Sequence, residues 1–156
     1  MCSTSASDVN EVKEALAQLE QTLKNARENG DKKAYSLNPL QLEAAELAVS
    51  EKFSVICGGP GTGKTTTVVK FIEAFLEIHP KGIIQMCAPT GKATSRLLES
   101  VKNQADAGPS SAPYCPAVRK ALAEDRLTSL TIHKLLVTDL SNGKRPSADN
   151  PIEADL

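Results

Sequence analysis

Tryptophan is absent from this 156-residue sequence, and three phenylalanines and two tyrosines make up its whole aromatic content. Stacking of bases on aromatic faces is therefore not a broad feature of the chain. No apolar run approaches the ~18 residues that a membrane span needs, so no spanning segment is expected. The start carries no signal-peptide pattern, and Met1-Cys2 lacks a hydrophobic region that would support a lipid anchor. Cysteine is sparse. Cys2, Cys57, Cys87 and Cys115 lie far apart without a C-x-x-C pair, which argues against zinc. Cys57 and Cys87 end short apolar runs and read as reduced core residues, as expected of a cytoplasmic protein.

A strong net charge is missing too, but the total of −1 hides an asymmetry. Residues 1–52 carry 6 bases and 9 acids, and residues 146–156 carry 3 acids and no base. Between them, residues 53–145 hold 12 bases against 7 acids, a net charge of +5 that is compatible with a polyanionic partner. With 40% apolar and 24% charged residues, the composition suits one soluble domain.

What the sequence does have is a glycine-rich stretch, Gly58-Gly59-Pro60-Gly61-Thr62-Gly63-Lys64-Thr65, followed by Thr66 and Thr67. It fits G-x-x-x-x-G-K-[ST], the loop that wraps nucleoside triphosphate phosphates. Backbone N–H groups must close around an anion there, so side chains are removed at Gly59, Gly61 and Gly63. The helix that follows aims its free N–H groups and positive dipole end at the same phosphates. ATP is the expected ligand, held by Gly59, Pro60, Gly61, Thr62, Gly63, Lys64, Thr65 and Thr66. Lys64, the expected catalytic residue, reaches the β and γ phosphates, and the Thr65 hydroxyl is the expected Mg²⁺ ligand. By composition alone the pattern occurs in roughly one chain of this length in a few hundred. Its flanks strengthen it: Phe53-Ser54-Val55-Ile56-Cys57 reads as a buried strand, and an amphipathic run follows.

Upstream, Val9, Val12, Leu16, Leu19, Leu23 and Ala26 form one narrow helical stripe, with Asp8 and Glu11 at its start and Gly30 as its stop. The helix packs on its own domain or on a partner. A second helix starts at Asn38, with Pro39 first and Gln41 three residues after the cap. Gln41 is either a capping-box residue or an amide that reads adenine. Downstream, a helix reaches Ile78, and Ile83-Ile84-Gln85-Met86-Cys87-Ala88 is a second short strand. The two strands and the helix between them predict a βαβ unit with a parallel sheet and right-handed crossover. A further helix spans 92–104 with Ala93, Leu97, Leu98 and Val101 inward. Residues 105–116 read as a flexible loop, 117–124 as a short helix and 127–132 as a strand, while residues 1–7 are expected to be disordered and 139–156 irregular.

Pro89, Thr90, Gly91 and Lys92 follow a parallel strand, where open α/β sheets place ligands. A hydroxyl, an open N–H and a cation suit a phosphodiester; an ordinary strand-to-helix turn is the alternative. His133 taken alone reads more readily as a packed or surface histidine.

Leu37-Asn38-Pro39-Leu40-Gln41, the phosphate loop, Ala88-Pro89-Thr90-Gly91-Lys92-Ala93-Thr94 and Thr131-Ile132-His133-Lys134-Leu135-Leu136 occur in that order. Together they resemble the Q motif, Walker A, motif Ia and motif Ib of superfamily 1 DNA helicases. The wording is most similar to the RecD type, the alpha subunit of exodeoxyribonuclease V, over about residues 37–137. The resemblance implies an α/β fold: a partial P-loop NTPase (RecA-like) domain with parallel strands and flanking helices, preceded by an N-terminal helix. It divides the chain into 1–36 (helix and connector), 37–137 (partial ATPase domain) and 138–156 (irregular tail). It implies an adenine contact for Gln41, and places Pro89, Thr90, Gly91, Lys92 and His133 along single-stranded DNA. Its implied setting is cytoplasmic recombination and double-strand-break repair, with other exodeoxyribonuclease V subunits as partners and 5′-to-3′ movement driven by ATP.

The sequence also departs from that family. It has no Asp-Glu pair behind an apolar strand, no assignable arginine finger and no second RecA-like domain. Residues 150–156 resemble the lead into the family's Walker B strand, so the chain is expected to be an N-terminal part with negligible turnover alone and uncovered apolar edges that favour association. Three other readings share the phosphate loop. The helicase segment of a conjugative relaxase has similar motifs. A small-molecule kinase predicts an arginine-rich lid and does not account for APTGKAT. A standalone nucleotide-binding module predicts binding without turnover or DNA affinity.

Overall fold

The helix that follows the phosphate loop is apolar nearly all round, and a helix of that kind has to be enclosed. In the computed structural model it is the central element. The structure describes residues 6–32, 34–51, 53–108, 114–137, 146, 147, 149, 151, 152 and 154–156. Helix α1 spans Ala6–Glu28, α2 Pro39–Ser50 and α3 Lys64–Ile78. Thr67 and residues 69–76 of α3 are all buried. Helix α1 covers one side of it with Val12, Ala15 and Leu16, and α2 contributes Ala45 to the same core. The stripe read along α1 therefore packs on its own domain: Val12, Leu16, Leu19 and Leu23 are buried.

Strand β1 (Ile84–Ala88) is followed by α4 (Gly91–Ala105), α5 (Pro116–Ala123), β2 (Leu127–Thr131) and α6 (Ile132–Val137). β1 and β2 pair in parallel with Ile84 opposite Leu127 and Ala88 opposite Thr131, and α4 and α5 form the crossover between them. Parallel strands need such a connection, because a short hairpin cannot reverse the chain twice. On the other edge of β1, the Leu156 N–H donates to Ile83 O (3.3 Å) and the Gln85 N–H donates to Leu156 O (2.9 Å). These two bonds flank Ile84 in the pattern of a parallel pair.

Two expectations need correction. Residues 53–57 are not a strand among the described residues, and they are not buried: Phe53 is 83% and Val55 68% exposed. A short apolar run becomes a strand only if a neighbour offers it an edge. The edges of β1 are taken by β2 and Leu156, so the expected βαβ unit from 53–57 to β1 does not form. Cys57 and Cys87 are exposed rather than core residues, and only Cys115 of the described cysteines is buried. Of the positions read as inward on α4, Val101 is fully buried while Ala93, Leu97 and Leu98 are half-buried. The expected disorder of residues 1–7, the flexible loop and the irregular tail fall largely on 1–5, 109–113 and 138–145, outside the described residues.

The start of α5 depends on a charge borne by α3. Glu73 is 0% exposed, and its carboxylate accepts from the Ala117 N–H (2.9 Å) and the Val118 N–H (2.7 Å). Those are first-turn donors that a helix cannot satisfy internally. Burial pushes the Glu73 carboxyl up to about 7, against the opposing pull of the two N–H bonds. Lys70, also buried, sits one turn earlier with its Nζ 3.7 Å from Cys115 Sγ. Burial pushes the Cys115 thiol up to about 11, so it packs as a neutral side chain.

Candidate nucleotide-binding site

A loop that must wrap an anion needs backbone conformations that most residues avoid, and two of its glycines adopt them. Gly61 has φ +77 and Gly63 φ +79. Gly63 is constrained twice, because a Cβ there would lie 2.5 Å from Gln41 Nε2. From Gly63 the chain passes directly into α3, with Thr67 N–H donating to Gly63 O at 3.0 Å as its first turn closes. No side chain caps this helix end. By contrast, α2 is capped by Asn38 and α4 by Thr90. The first-turn N–H groups of α3 are thus free of side-chain acceptors, as an anion site requires.

The Lys64 ammonium lies within the loop. Its Nζ donates to Gly58 O and Gly59 O, both at 2.8 Å, and lies 3.4 Å from Thr62 Oγ1. Thr62 Oγ1 in turn donates to Gly59 O at 2.9 Å. This closes a small ring of residues 58–64, and a Cβ on Gly58 would lie 2.7 Å from Thr62 Oγ1. Gly59 and Pro60 are exposed at the tip, while Thr65 and Thr66 are half-buried in the first turn of α3.

Gln41 takes up its capping reading and keeps amide atoms to spare. Its N–H and side chain form a capping box with Asn38, with Gln41 N to Asn38 Oδ1 and Asn38 N to Gln41 Oε1 both at 2.9 Å. Its Nε2 also donates to Thr62 O at 2.9 Å. A primary amide has two donor hydrogens and two acceptor lone pairs, so one of each remains. That pair is the complement of adenine N7 and N6–H. Capping and base contact are therefore not exclusive.

The register of the sheet brings the remaining candidates to one end. Ala88 stands opposite Thr131, so Pro89, Thr90, Gly91 and Lys92 leave β1 beside the start of α6, which carries His133. Thr90 Oγ1 accepts from the Ala93 N–H (3.2 Å), so the Thr90 hydroxyl caps α4 and keeps its own hydrogen to donate and one lone pair. Pro89, Gly91, Lys92 and His133 are exposed, and nothing lies within 4 Å of a Cβ built on Gly91. A cleft of about 440 Å³ joins this end to the phosphate loop, lined by Thr65, Thr90, Lys92, Arg96 and Ser100. Arg96 and Ser100 are missing from the sequence-derived set. Their signal was present in the four-residue steps 92, 96 and 100, which put all three on one helix face.

Thr65 is placed to hold Mg²⁺ only together with the nucleotide. Among the described residues no group of three His, Cys, Asp or Glu could hold a metal ion. One hydroxyl fits Mg²⁺ when phosphate oxygens and water supply the other positions.

A model of the AAA domain matches residues 41–156, which include the loop, both strands and α3 to α6. The chain belongs to the AAA domain family. Among curated relatives, the RecBCD enzyme subunit RecD of Haemophilus influenzae is 36% identical over 118 residues, covering 74% of this chain and 18% of that protein. The subunit of the same name from Mycobacterium tuberculosis is 37% identical over 118 residues, covering 69% of this chain and 17% of its own length. That of Buchnera aphidicola from Acyrthosiphon pisum is 51% identical over 61 residues, 38% of this chain and 10% of its own. These matches bear out the resemblance to the RecD type and the P-loop α/β fold class. The chain spans 17% to 18% of the length of the first two of these relatives. No solved structure matches it. Among the described residues no helix is long and apolar enough to cross a membrane.

Proposed function

We propose that the chain is the ATP-binding portion of a RecD-type, ATP-dependent DNA helicase subunit that acts in the cytoplasm in recombination and double-strand-break repair. Residues 37–137 are its partial RecA-like ATPase domain, residues 1–36 a helix and connector, and residues 138–156 a tail. The observation that carries this reading is the loop itself: an uncapped α3 start, with the Lys64 ammonium held on Gly58 O and Gly59 O. A triphosphate would replace those neutral carbonyl acceptors with anionic oxygens, adding Coulomb attraction to hydrogen bonds whose donor is already charged.

In this reading Gln41 contacts adenine, and residues 59–66 surround the phosphates. Lys64 neutralises charge on the β and γ phosphates, and the Thr65 hydroxyl would hold Mg²⁺, which supplies Lewis-acid stabilisation when bound. Pro89, Thr90, Gly91, Lys92 and His133 run along single-stranded DNA, and other subunits of an exodeoxyribonuclease V complex are the partners. Support comes from the RecBCD subunit relatives and from the shared sheet end of the two DNA motifs.

Mg²⁺-ATP binding and single-stranded DNA binding test the proposal. Lys64→Ala should abolish the first and leave the second within a fewfold. The second should fall steeply as salt rises. Nucleotide affinity that does not depend on Lys64 would refute the ATP site, and salt-insensitive or absent DNA binding would refute the helicase reading.

A further inference from the structure

Glu20 is a charged residue in the middle of α1, yet it is only 3% exposed. Burying a carboxylate is costly unless its oxygens are used. One is: the Leu37 N–H donates to Glu20 Oε2 at 2.7 Å, while Oε1 has no hydrogen-bond partner among the described residues. Burial pushes the Glu20 carboxyl up, and the Leu37 bond, Lys70 and Lys24 pull it back down. The bonded N–H belongs to Leu37, itself 6% exposed and the residue immediately before the α2 cap.

From Leu37 the bonds resume at the next residue. The next N–H, that of Asn38, donates to Gln41 Oε1 (2.9 Å), and Gln41 Nε2 donates to Thr62 O (2.9 Å). A line of contacts thus runs from the buried face of α1 to the Leu37 N–H in the 36–37 peptide, across the buried Leu37 to the Asn38 N–H in the 37–38 peptide, and on to the amide of Gln41 and the phosphate loop. The amide group of Gln41 has two atoms to orient, and this line fixes both of them. Its Oε1 is held by the Asn38 N–H, one residue along from the Leu37 N–H that Glu20 holds, and its Nε2 by the loop.

We propose that Glu20 is a positioning residue for base recognition: it fixes the backbone at Leu37, and through the adjoining Asn38 N–H the Gln41 amide that faces adenine. This rests on the adenine role of Gln41 given above. Helix α1 is then part of the nucleotide site rather than only a cover for α3. The remaining donor and acceptor of Gln41 match adenine only if the amide plane is held, because a rotated amide presents the reverse order to the base.

The test compares the affinity of Mg²⁺-ATP, Mg²⁺-GTP and inorganic tripolyphosphate for the protein and its Glu20→Ala, Glu20→Gln, Glu20→Asp and Gln41→Ala variants. Gln41→Ala should lose the preference for ATP over GTP; loss of its bond to Thr62 O acts on ATP, GTP and tripolyphosphate affinity alike and leaves that ratio untouched. Glu20→Ala should lose about tenfold of that preference, the equivalent of one hydrogen bond. Glu20→Gln, whose amide oxygen still accepts from Leu37 N–H, should retain it. Glu20→Asp keeps the charge but draws it back by one methylene, and should behave like Glu20→Ala; it serves where the alanine variant does not fold. In a Gln41→Ala background, Glu20→Asp should change nothing further. A merely structural role would shift ATP, GTP and tripolyphosphate affinities together, and an unchanged ATP-to-GTP ratio in Glu20→Asp, beside a lost one in Gln41→Ala, would overturn the inference. A preference that survives Gln41→Ala would instead overturn the adenine reading itself, and this inference with it.

Discussion

Glu73 should make the stability of this chain fall as the solution becomes less acidic. Its side chain is fully enclosed, and burial raises its carboxyl from 4.5 to about 7 in the folded chain. Between these two values the folded state binds a proton that the unfolded state has released. Stability therefore declines as pH rises through that window, and is level above about 7 and below about 4.5. One pKa unit corresponds to about 1.4 kcal/mol, so the shift is worth about 3 kcal/mol in total. Glu73→Gln removes the titration while keeping one acceptor for the Ala117 and Val118 N–H groups. The stability of the variant minus that of the wild type should consequently rise by about 3 kcal/mol from pH 4.5 to pH 8. Urea unfolding followed by circular dichroism at several pH values measures this difference. Taking the difference cancels the contribution of Glu20, whose carboxyl burial also raises, and that of Glu77 apart from its repulsion of Glu73. Parallel pH profiles for the two proteins would refute the reasoning, and would mean that water or a mobile cation reaches Glu73 in the folded chain.

Four further outcomes are expected. Leu16→Ala, at a fully buried α1 position, should cost about 2–5 kcal/mol in urea unfolding; a cost near zero would mean that α1 does not share the core of α3. Gly63→Ala should cost about 1–2 kcal/mol for its left-handed backbone and should weaken ATP binding further by displacing Gln41; unchanged affinity would contradict the loop geometry. Lys92→Ala should reduce the salt slope of single-stranded DNA binding by about one, measured by fluorescence anisotropy across a salt series. Arg96→Ala should reduce it similarly if the cleft face of α4 follows the DNA backbone, and an unchanged slope would confine the DNA to the β1–α4 turn.

The elements that the sequence revealed correctly are those whose signal is local. The α2 start was legible because Asn38, Pro39 and Gln41 specify a cap, a first-turn φ and a capping box within four residues, and both bonds of that box are present. The α1 stripe was legible because its apolar positions share one side of the helix, with Val12 and Leu16 in the core around α3 and Leu19 and Leu23 against Ala34, so periodicity alone defines the buried side. The two glycines of the loop with left-handed φ, Gly61 and Gly63, lay within the motif. The strand expected at 53–57 failed for a different reason. Its composition is right for a buried strand, but whether a strand forms depends on which edge the rest of the chain offers, and no local pattern encodes that. Cys57 and Cys87 were misplaced by the same route, as their burial was inferred from sheet positions. Glu73 and Glu20 gave no signal, since a charged residue on a helix reads as a solvated face until the neighbouring elements enclose it.

The loop and the strand before it behave differently, and the difference follows from where their bonds lie. The loop is closed by Lys64, Thr62 and Gly59 within residues 58–64, and apart from the first turn of α3 it is braced, among the described residues, by one bond, from Gln41. It therefore needs no sheet beneath it to take its shape. Residues 53–57 have no such internal bonds, and Phe53 and Val55 stay exposed. The apolar surface they present carries a hydrophobic cost of about 25 cal/mol per Å² until something covers it. The phosphate cradle is thus locally specified, while the sheet that should support it is specified only by distant contacts. Any perturbation that moves Gln41 then acts on the one brace that the loop has from beyond α3 among the described residues, which is why Glu20, buried on α1, matters to nucleotide recognition.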